Sequence, residues 1–230
     1  MPEKQSEYYA SPKRDIEPLL PRRVGRALEI GCGTGATMSW LRTVANVEYA
    51  MGIEIVPEVA VEANASFDEV VCGDIETLQL CQHSEFDTIL VLDVLEHLVD
   101  PWKTVRMLRG LLRPSGVLLA SIPNAAHWNV SAPLFLRGRW EYADQGLLDR
   151  THLRFFTENT SRALFEDNGF LIEELRYVKT YPGRTSGQRW YIRRLFRHFI
   201  PDRLVNFQFL IRARGQDGEP GGYETTALSL

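Results

Sequence analysis

The chain has 230 residues, 44% of them apolar and 24% charged, with 26 Lys+Arg against 30 Asp+Glu for a formal charge of −4. A chain of this length buries roughly 70–75% of the surface its unfolded form exposes, so a large core needs no disulfide staples, and disordered and collagen-like classes are excluded. The near-neutral balance offers no basic field for nucleic acid, so neither DNA nor RNA is expected as a partner.

Short β-rich runs alternate with helix-like segments of about ten to fifteen residues, the signature of βαβ units. Residues 1–25 read as an N-terminal cap segment. Arg26–Ile30 is a strand that runs into Gly-rich sequence, Ala36–Val44 a helix, and Glu48–Ile55 a second strand. Pro57–Ala65 is a helix and Glu69–Cys72 a short strand. Phe86–Leu92 is a continuous apolar strand of the kind buried on both faces. Asp100-Pro101 supplies an N-cap and a first-turn proline, Val105, Leu108 and Leu112 share one face, and Pro114-Ser115-Gly116 ends that helix. Val117–Ile122 is the next strand.

From residue 123 to 156 regular periodicity fails, while Trp128, Phe135, Trp140, Tyr142, Phe155 and Phe156 make the stretch too aromatic for disorder. It is expected to form a folded substrate lid. Thr157 then caps a helix that stops at Asn168-Gly169, and Phe170–Val178 and Val205–Ala213 read as an antiparallel strand pair around an Arg-rich insertion, 180–203. Between Arg176 and Arg214 stand nine arginines and Lys179 against Asp202 alone, a solvated face or a meeting place for an anionic group. Residues 215–230 read as a flexible tail.

The longest apolar stretch, Thr88 to Leu98, is interrupted by Asp93 and Glu96-His97, so no spanning helix is expected. The N-terminus has no hydrophobic core after its charges, which predicts no secretory signal and a cytoplasmic location. Cys32, Cys72 and Cys81 lack CxxC spacing and read as reduced, buried thiols.

Glu29-Ile30-Gly31-Cys32-Gly33-Thr34-Gly35 stands where a strand meets a helix, the place where backbone approaches a nucleotide-like ligand. The spacing is GxGxG rather than the GxGxxG of a dinucleotide fingerprint. Glu54 ends the second strand nineteen residues past Gly35, where a carboxylate can accept both hydroxyls of a ribose. Glu29, just before the first glycine, would repel pyrophosphate and attract an ammonium group. A cofactor with a ribose, a positive amine and no phosphate is S-adenosylmethionine.

The motifs LEIGCGTG (Leu28–Gly35), MGIEI with Glu54, CGDIE with Asp74, and FDTILVLDVLEHL from Phe86 resemble those of class I S-adenosylmethionine-dependent methyltransferases, over about Ala27 to Phe170. The resemblance implies an α/β fold with a Rossmann-like seven-stranded sheet, mostly parallel with an antiparallel last strand, across residues 26–214. It also implies that Gly31, Gly33 and Gly35 line the methionine moiety, that Asp74 bonds the adenine amino group with Ile55 and Ile75 packing the ring, and that Asp93 follows at the cofactor's edge. Upstream, Tyr9 and Arg14 are candidates to cover the cofactor's carboxylate.

A narrower resemblance concerns the acceptor. SIPNAAHWNV and LRGRWEYADQGLLDRTHLRFFT resemble a bacterial subgroup associated with polysaccharide and glycosyltransferase functions, and less completely the methionine-biosynthesis W proteins. The first implies O-methylation of a saccharide or saccharide-linked small molecule. The second implies an S-adenosylmethionine-binding regulatory or accessory protein. A sugar hydroxyl needs a base within reach, and His152 and His127 are the candidates. His152 is preferred because Asp149 can orient its imidazole, with Arg154 binding a substrate diphosphate or carboxylate. Asn124 and Trp128 position substrate or pack. Asp93, Glu96 and His97, at i, i+3 and i+4, would meet on one side of a helical turn, where a divalent metal could bind. In metal-free relatives the Glu-His pair stabilises the turn below the cofactor, which places His97 among the cofactor-binding residues and leaves no metal ligand assigned.

Overall fold

The computed structural model describes residues 11–80, 85–180 and 201–216. A 3-10 helix over Arg14–Leu19, with Ile16 and Leu19 buried, precedes the first strand. The elements then run β1 (Gly25–Ile30), α1 (Ala36–Val44), β2 (Val47–Glu54), α2 (Pro57–Ala63), β3 (Glu69–Cys72) and β4 (Phe86–Leu92). A 3-10 turn at Leu95–His97 leads to α3 (Pro101–Leu111) and β5 (Leu112–Pro123). After α4 (Trp128–Arg137) come α5 (Glu158–Glu166), β6 (Phe170–Lys179), α6 (Asp202–Val205) and β7 (Asn206–Gly215).

The seven strands form one sheet in the order β3-β2-β1-β4-β5-β7-β6. β1 to β5 pair in parallel, and β7 runs antiparallel to both β5 and β6. Strand order reverses between β1 and β4, and the crevice outside their carboxyl ends is where ligands bind in open α/β sheets. Alternation along the strands sorts the core into two layers. Leu28, Ile30, Ile89, Val91, Leu118 and Ala120 pack toward α3 and α5, while Ala27, Leu90 and Leu119 pack toward α1 and the N-terminal 3-10 helix.

Local chemistry explains the helix boundaries. Asp100 Oδ1 accepts the Lys103 amide at 2.9 Å and Pro101 opens α3, a cap of about 1 kcal/mol. Thr157 and Thr160 form a reciprocal capping box on α5, the Thr157 amide donating to Thr160 Oγ1 at 2.8 Å.

Four sequence expectations change. β5 begins directly at Leu112, paired with Phe86, and its register shifts before Thr88 meets Val117, so Pro114-Ser115-Gly116 lies inside an irregular strand start rather than ending a helix. α2 stops at Ala63. Within the lid, residues 128–137 form α4, which Pro133 in its interior disguised. Cys72 is exposed because it ends the four-residue edge strand β3, whereas Cys32 is buried. Cys81, most of the Arg-rich insertion and most of the tail lie outside the described residues. Among the described residues, no helix is long and apolar enough to cross a membrane.

Candidate active site

The β1–α1 connection is pinned to β2 before any side chain acts. The Gly31 and Cys32 amides both donate to the Ile53 carbonyl, at 2.8 and 3.1 Å. Gly31 has φ +65°, and a Cβ there would stand 2.6 Å from Val94 Cγ2. Gly35 has φ +83° and directly precedes α1, where a Cβ would meet Ser66 Cβ at 2.7 Å. Both positions combine a left-handed backbone with contact on a neighbour, so only glycine fits unstrained.

Glu54 is buried at the end of β2. Its carboxylate accepts the Gly33 amide at 3.0 Å and the Val56 amide at 3.0 Å, which places an acceptor-only group against the glycine hairpin. The Gly73 amide donates to the Glu54 carbonyl at 2.9 Å, bringing Asp74 alongside. Asp74 Oδ1 accepts the Glu76 amide at 2.9 Å, an Asx turn that steadies the loop. Ile55 is exposed while Ile75 belongs to the core, so of the two expected ring-packing residues Ile55 has the freer face. Glu29 is buried, and burial pushes its carboxyl up to about 8. It therefore rests protonated at neutral pH rather than carrying the charge expected from sequence. Burial also pushes the Cys32 thiol far up, with Glu29 and Glu54 adding to the effect.

Asp93 ends β4 with φ 56°, the one non-glycine residue of positive φ among those described. This conformation turns its carboxylate to Lys13 Nζ, at 2.5 Å, to Ser121 Oγ, at 2.6 Å, and to Gln208 Nε2. The Lys13 amide also donates to Thr37 Oγ1 at 3.2 Å. The N-terminal segment thus straps the first turn of α1 to the end of β4, across the mouth of the crevice. The same segment was expected to cover the cofactor's carboxylate through Tyr9 and Arg14. Tyr9 lies outside the described residues, and Lys13 and Gln208 carried no motif signal.

The expected meeting of Asp93, Glu96 and His97 is replaced by another. The 3-10 turn at 95–97 brings Glu96 and His97 to His152, fifty-five residues on from His97, with one ligand atom from each within 4.8 Å of the others. The Leu153 and Arg154 amides both donate to the Glu96 carbonyl, at 2.8 and 2.9 Å, stitching the lid to the turn. His97 Nδ1 bonds the Thr151 carbonyl at 3.1 Å and His152 Nδ1 the Leu147 carbonyl at 3.2 Å. The two rings stand edge to face with centroids 4.7 Å apart. Leu147 thus supplies the bond to Nδ1, while Asp149 Oδ1 caps the turn through the Thr151 amide and hydroxyl at 2.8 and 2.7 Å.

Two other expected residues lie elsewhere. His127 is fully buried and caps α4: its Nδ1 accepts the Asn129 amide at 3.3 Å, and its Nε2 bonds Thr180 Oγ1 at 2.8 Å. Burial holds its pKa below the ordinary value. Arg154 bonds the Val99 carbonyl and lies over the Trp102 ring, its guanidinium carbon 5.4 Å from the centroid. Asn124 Nδ2 bonds the Arg203 and Asn206 carbonyls at 2.9 and 2.6 Å, tying the lid to α6 and β7. Beside His152, Phe155 packs edge to face on Trp140 at 5.0 Å, with Tyr142 at 6.5 Å and half exposed.

A family model described as a methyltransferase domain matches residues 3–175. A ubiquinone biosynthesis O-methyltransferase of Xanthomonas euvesicatoria is 33% identical over 178 residues, covering 70% of this chain and 72% of the relative. A 27-O-demethylrifamycin SV methyltransferase of Amycolatopsis mediterranei is 31% identical over 111 residues, 44% of this chain and 39% of the relative. The crystal structure of an S-adenosylmethionine-dependent methyltransferase from Mesorhizobium loti superposes with a TM-score of 0.60 at 22% identity, covering 87% of this chain and 95% of that one. The chain belongs to the methyltransferase domain family. It is an S-adenosylmethionine-dependent enzyme, and the buried Glu54 carboxylate against the glycine hairpin has the chemistry to accept a donor's ribose hydroxyls.

Proposed function

We propose that the enzyme methylates a hydroxyl of a saccharide or saccharide-linked small molecule. The observation that carries the reading is the juxtaposition of aromatic lid side chains, Trp140, Tyr142 and Phe155, with the buried polar cluster at His152. An aromatic face suits the apolar side of a sugar ring, and the cluster is the place where a hydroxyl can lose its proton. Glu54 would hold the donor's ribose and the hairpin glycines would line its methionine moiety, with Asp74, Ile55 and Ile75 at the adenine end and Asp93 at the edge next to β4.

The donor supplies a methyl carbon already activated on sulfur. When bound, it would supply that carbon for direct displacement by the acceptor oxygen, with the sulfur as leaving group. The hydroxyl proton leaves toward the His152 cluster. Alignment supplies much of the rate, since well-oriented reactants gain up to about 7–11 kcal/mol over free encounter. His152, not His127, serves the acceptor in this reading, because both ring nitrogens of His127 are spent on the lid's own scaffold.

A phenolic acceptor is the second reading, favoured by the ubiquinone biosynthesis O-methyltransferase relative. The experiment is transfer of labelled methyl from S-adenosylmethionine to a panel of free sugars, nucleotide sugars, lipid-linked saccharides and catechols. Label in a sugar class supports the first reading, and label in catechols alone replaces it with the second.

A further inference from the structure

We infer that the last turn of α4 inserts into a phospholipid surface, placing the lid where a lipid-linked saccharide presents its sugar. Leu134, Phe135 and Leu136 are 44%, 88% and 74% exposed. A single exposed apolar residue needs no explanation, but three in succession on a helix do. At about 100° per residue they point in three directions around the axis, so the turn is apolar over most of its circumference rather than along one stripe. A flat protein face would cover one side of such a turn and leave the rest in water. A lipid surface surrounds it.

The lid holds this turn out from the body of the protein. The start of α4 is anchored, with Val130 buried and His127 capping the helix. From Leu134 on, every residue of α4 is exposed. Gly138 closes the helix at φ +61°, its amide donating to the Leu134 carbonyl at 2.9 Å, and a Cβ there would meet nothing within 4 Å. Gly146, further along the lid, stands in the same open space. One helical turn is about 5.4 Å long, within the depth of about 5–10 Å at which interfacial helices seat their apolar side chains.

The charges beside the turn suit phosphate. Arg137 and Arg139 are the first two charged residues after the apolar triplet, and both are exposed. Arg139 stands 3.8 Å from Glu141, and Arg137 has no ion pair among the described residues. Further on, Arg150 pairs with Asp144 at 3.1 Å. A guanidinium fork matches a phosphate group, so a bilayer offers each part of the segment its own partner, hydrocarbon for the triplet and headgroups for the arginines. Trp140 and Tyr142 follow, side chains favoured at the boundary between headgroup and hydrocarbon. Insertion therefore brings the aromatic face of the lid to the level of a sugar carried on a lipid. That acceptor rests on the saccharide reading above, whereas the insertion itself does not.

The test is co-sedimentation of the full chain with vesicles of phosphatidylcholine and phosphatidylglycerol, with neither donor nor acceptor present. The expected result is partition onto the vesicles, weakened at least about tenfold when Phe135→Ser and Leu136→Ser are combined. Arg137→Ala should weaken it by about fivefold, the worth of one basic side chain near an anionic surface. All three side chains are exposed, so the variants keep the fold. No partition of the wild type, or equal partition of the Phe135→Ser, Leu136→Ser variant, overturns the insertion while leaving methyl transfer standing. Self-association that the same variant abolishes, without vesicle binding, also overturns it and gives the turn to a second copy of the chain. Vesicle binding together with methyl label in catechols alone refutes the saccharide reading and leaves the insertion in place.

Discussion

Glu54 accepts the Gly33 amide through one carboxylate oxygen and the Val56 amide through the other, each at 3.0 Å. One side chain thus ties the end of β2 to the middle of the glycine hairpin. A ribose bound there meets a carboxylate whose position is set before the ligand arrives, which spares the cost of ordering it.

Replacing Glu54 with Ala is expected to weaken S-adenosylmethionine binding by about 10- to 100-fold, the worth of charge-assisted hydrogen bonds of about 1.5–3 kcal/mol. Equilibrium dialysis with labelled cofactor reads the change. Unaltered affinity would remove Glu54 from the site.

Gly35→Ala tests the hairpin's geometry. The added Cβ would meet Ser66 at 2.7 Å in a backbone of φ +83°, so stability should fall by about 1–3 kcal/mol. For a chain of this size each kcal/mol lowers Tm by about 2–4 °C, measurable by thermal denaturation.

Glu29 gives a pH dependence between its ordinary and its raised pKa. Its folded-state pKa is raised to about 8 by burial, from an ordinary 4.5. The folded state binds the extra proton, so this contribution is fully present below about 4.5 and is lost as pH rises through 8. Glu29→Gln keeps the shape and removes the titration. Relative to this variant the wild type should therefore lose Tm progressively between about pH 4.5 and about 8 and run parallel to it above, whereas parallel curves across the whole range would show that Glu29 has no raised pKa.

His127 has the opposite sense. Its folded pKa is depressed below the ordinary 6.5 by burial, so the neutral ring stabilises above about 6.5 and that stability is lost as pH falls through the folded value. Between pH 7.5 and 5 the wild type should lose Tm faster than His127→Gln. A similar slope in both would place the ring in solvent.

The fold was legible where signals are local. Asp100-Pro101, Thr157 and the glycine hairpin each announce a boundary through a residue whose chemistry suits it, and the structure has α3, α5 and the β1–α1 turn at those places. Glu54 and Asp74 were candidates for the same reason, Glu54 closing β2 and Asp74 standing two residues past the end of β3. What lay hidden depends on distant pairing or on an unfavourable local cue. Pro133 masked α4, which holds because its Gly138 end and buried Val130 support it. The left-handed Asp93 breaks the helical spacing that would have joined it to Glu96 and His97. His152 could not be matched to them from spacing, because the contact is made by folding the lid back on the turn. Lys13 reaches Asp93 across eighty residues with no pattern to mark it.

Calorimetric titration of the full chain with S-adenosylhomocysteine, with NAD as the comparison ligand, measures the central claim most directly. The account predicts one saturable site per chain for the adenosyl ligand, weakened by Glu54→Ala, and no heat from the dinucleotide. Saturable binding of NAD in place of S-adenosylhomocysteine, or no binding of the latter, would contradict it.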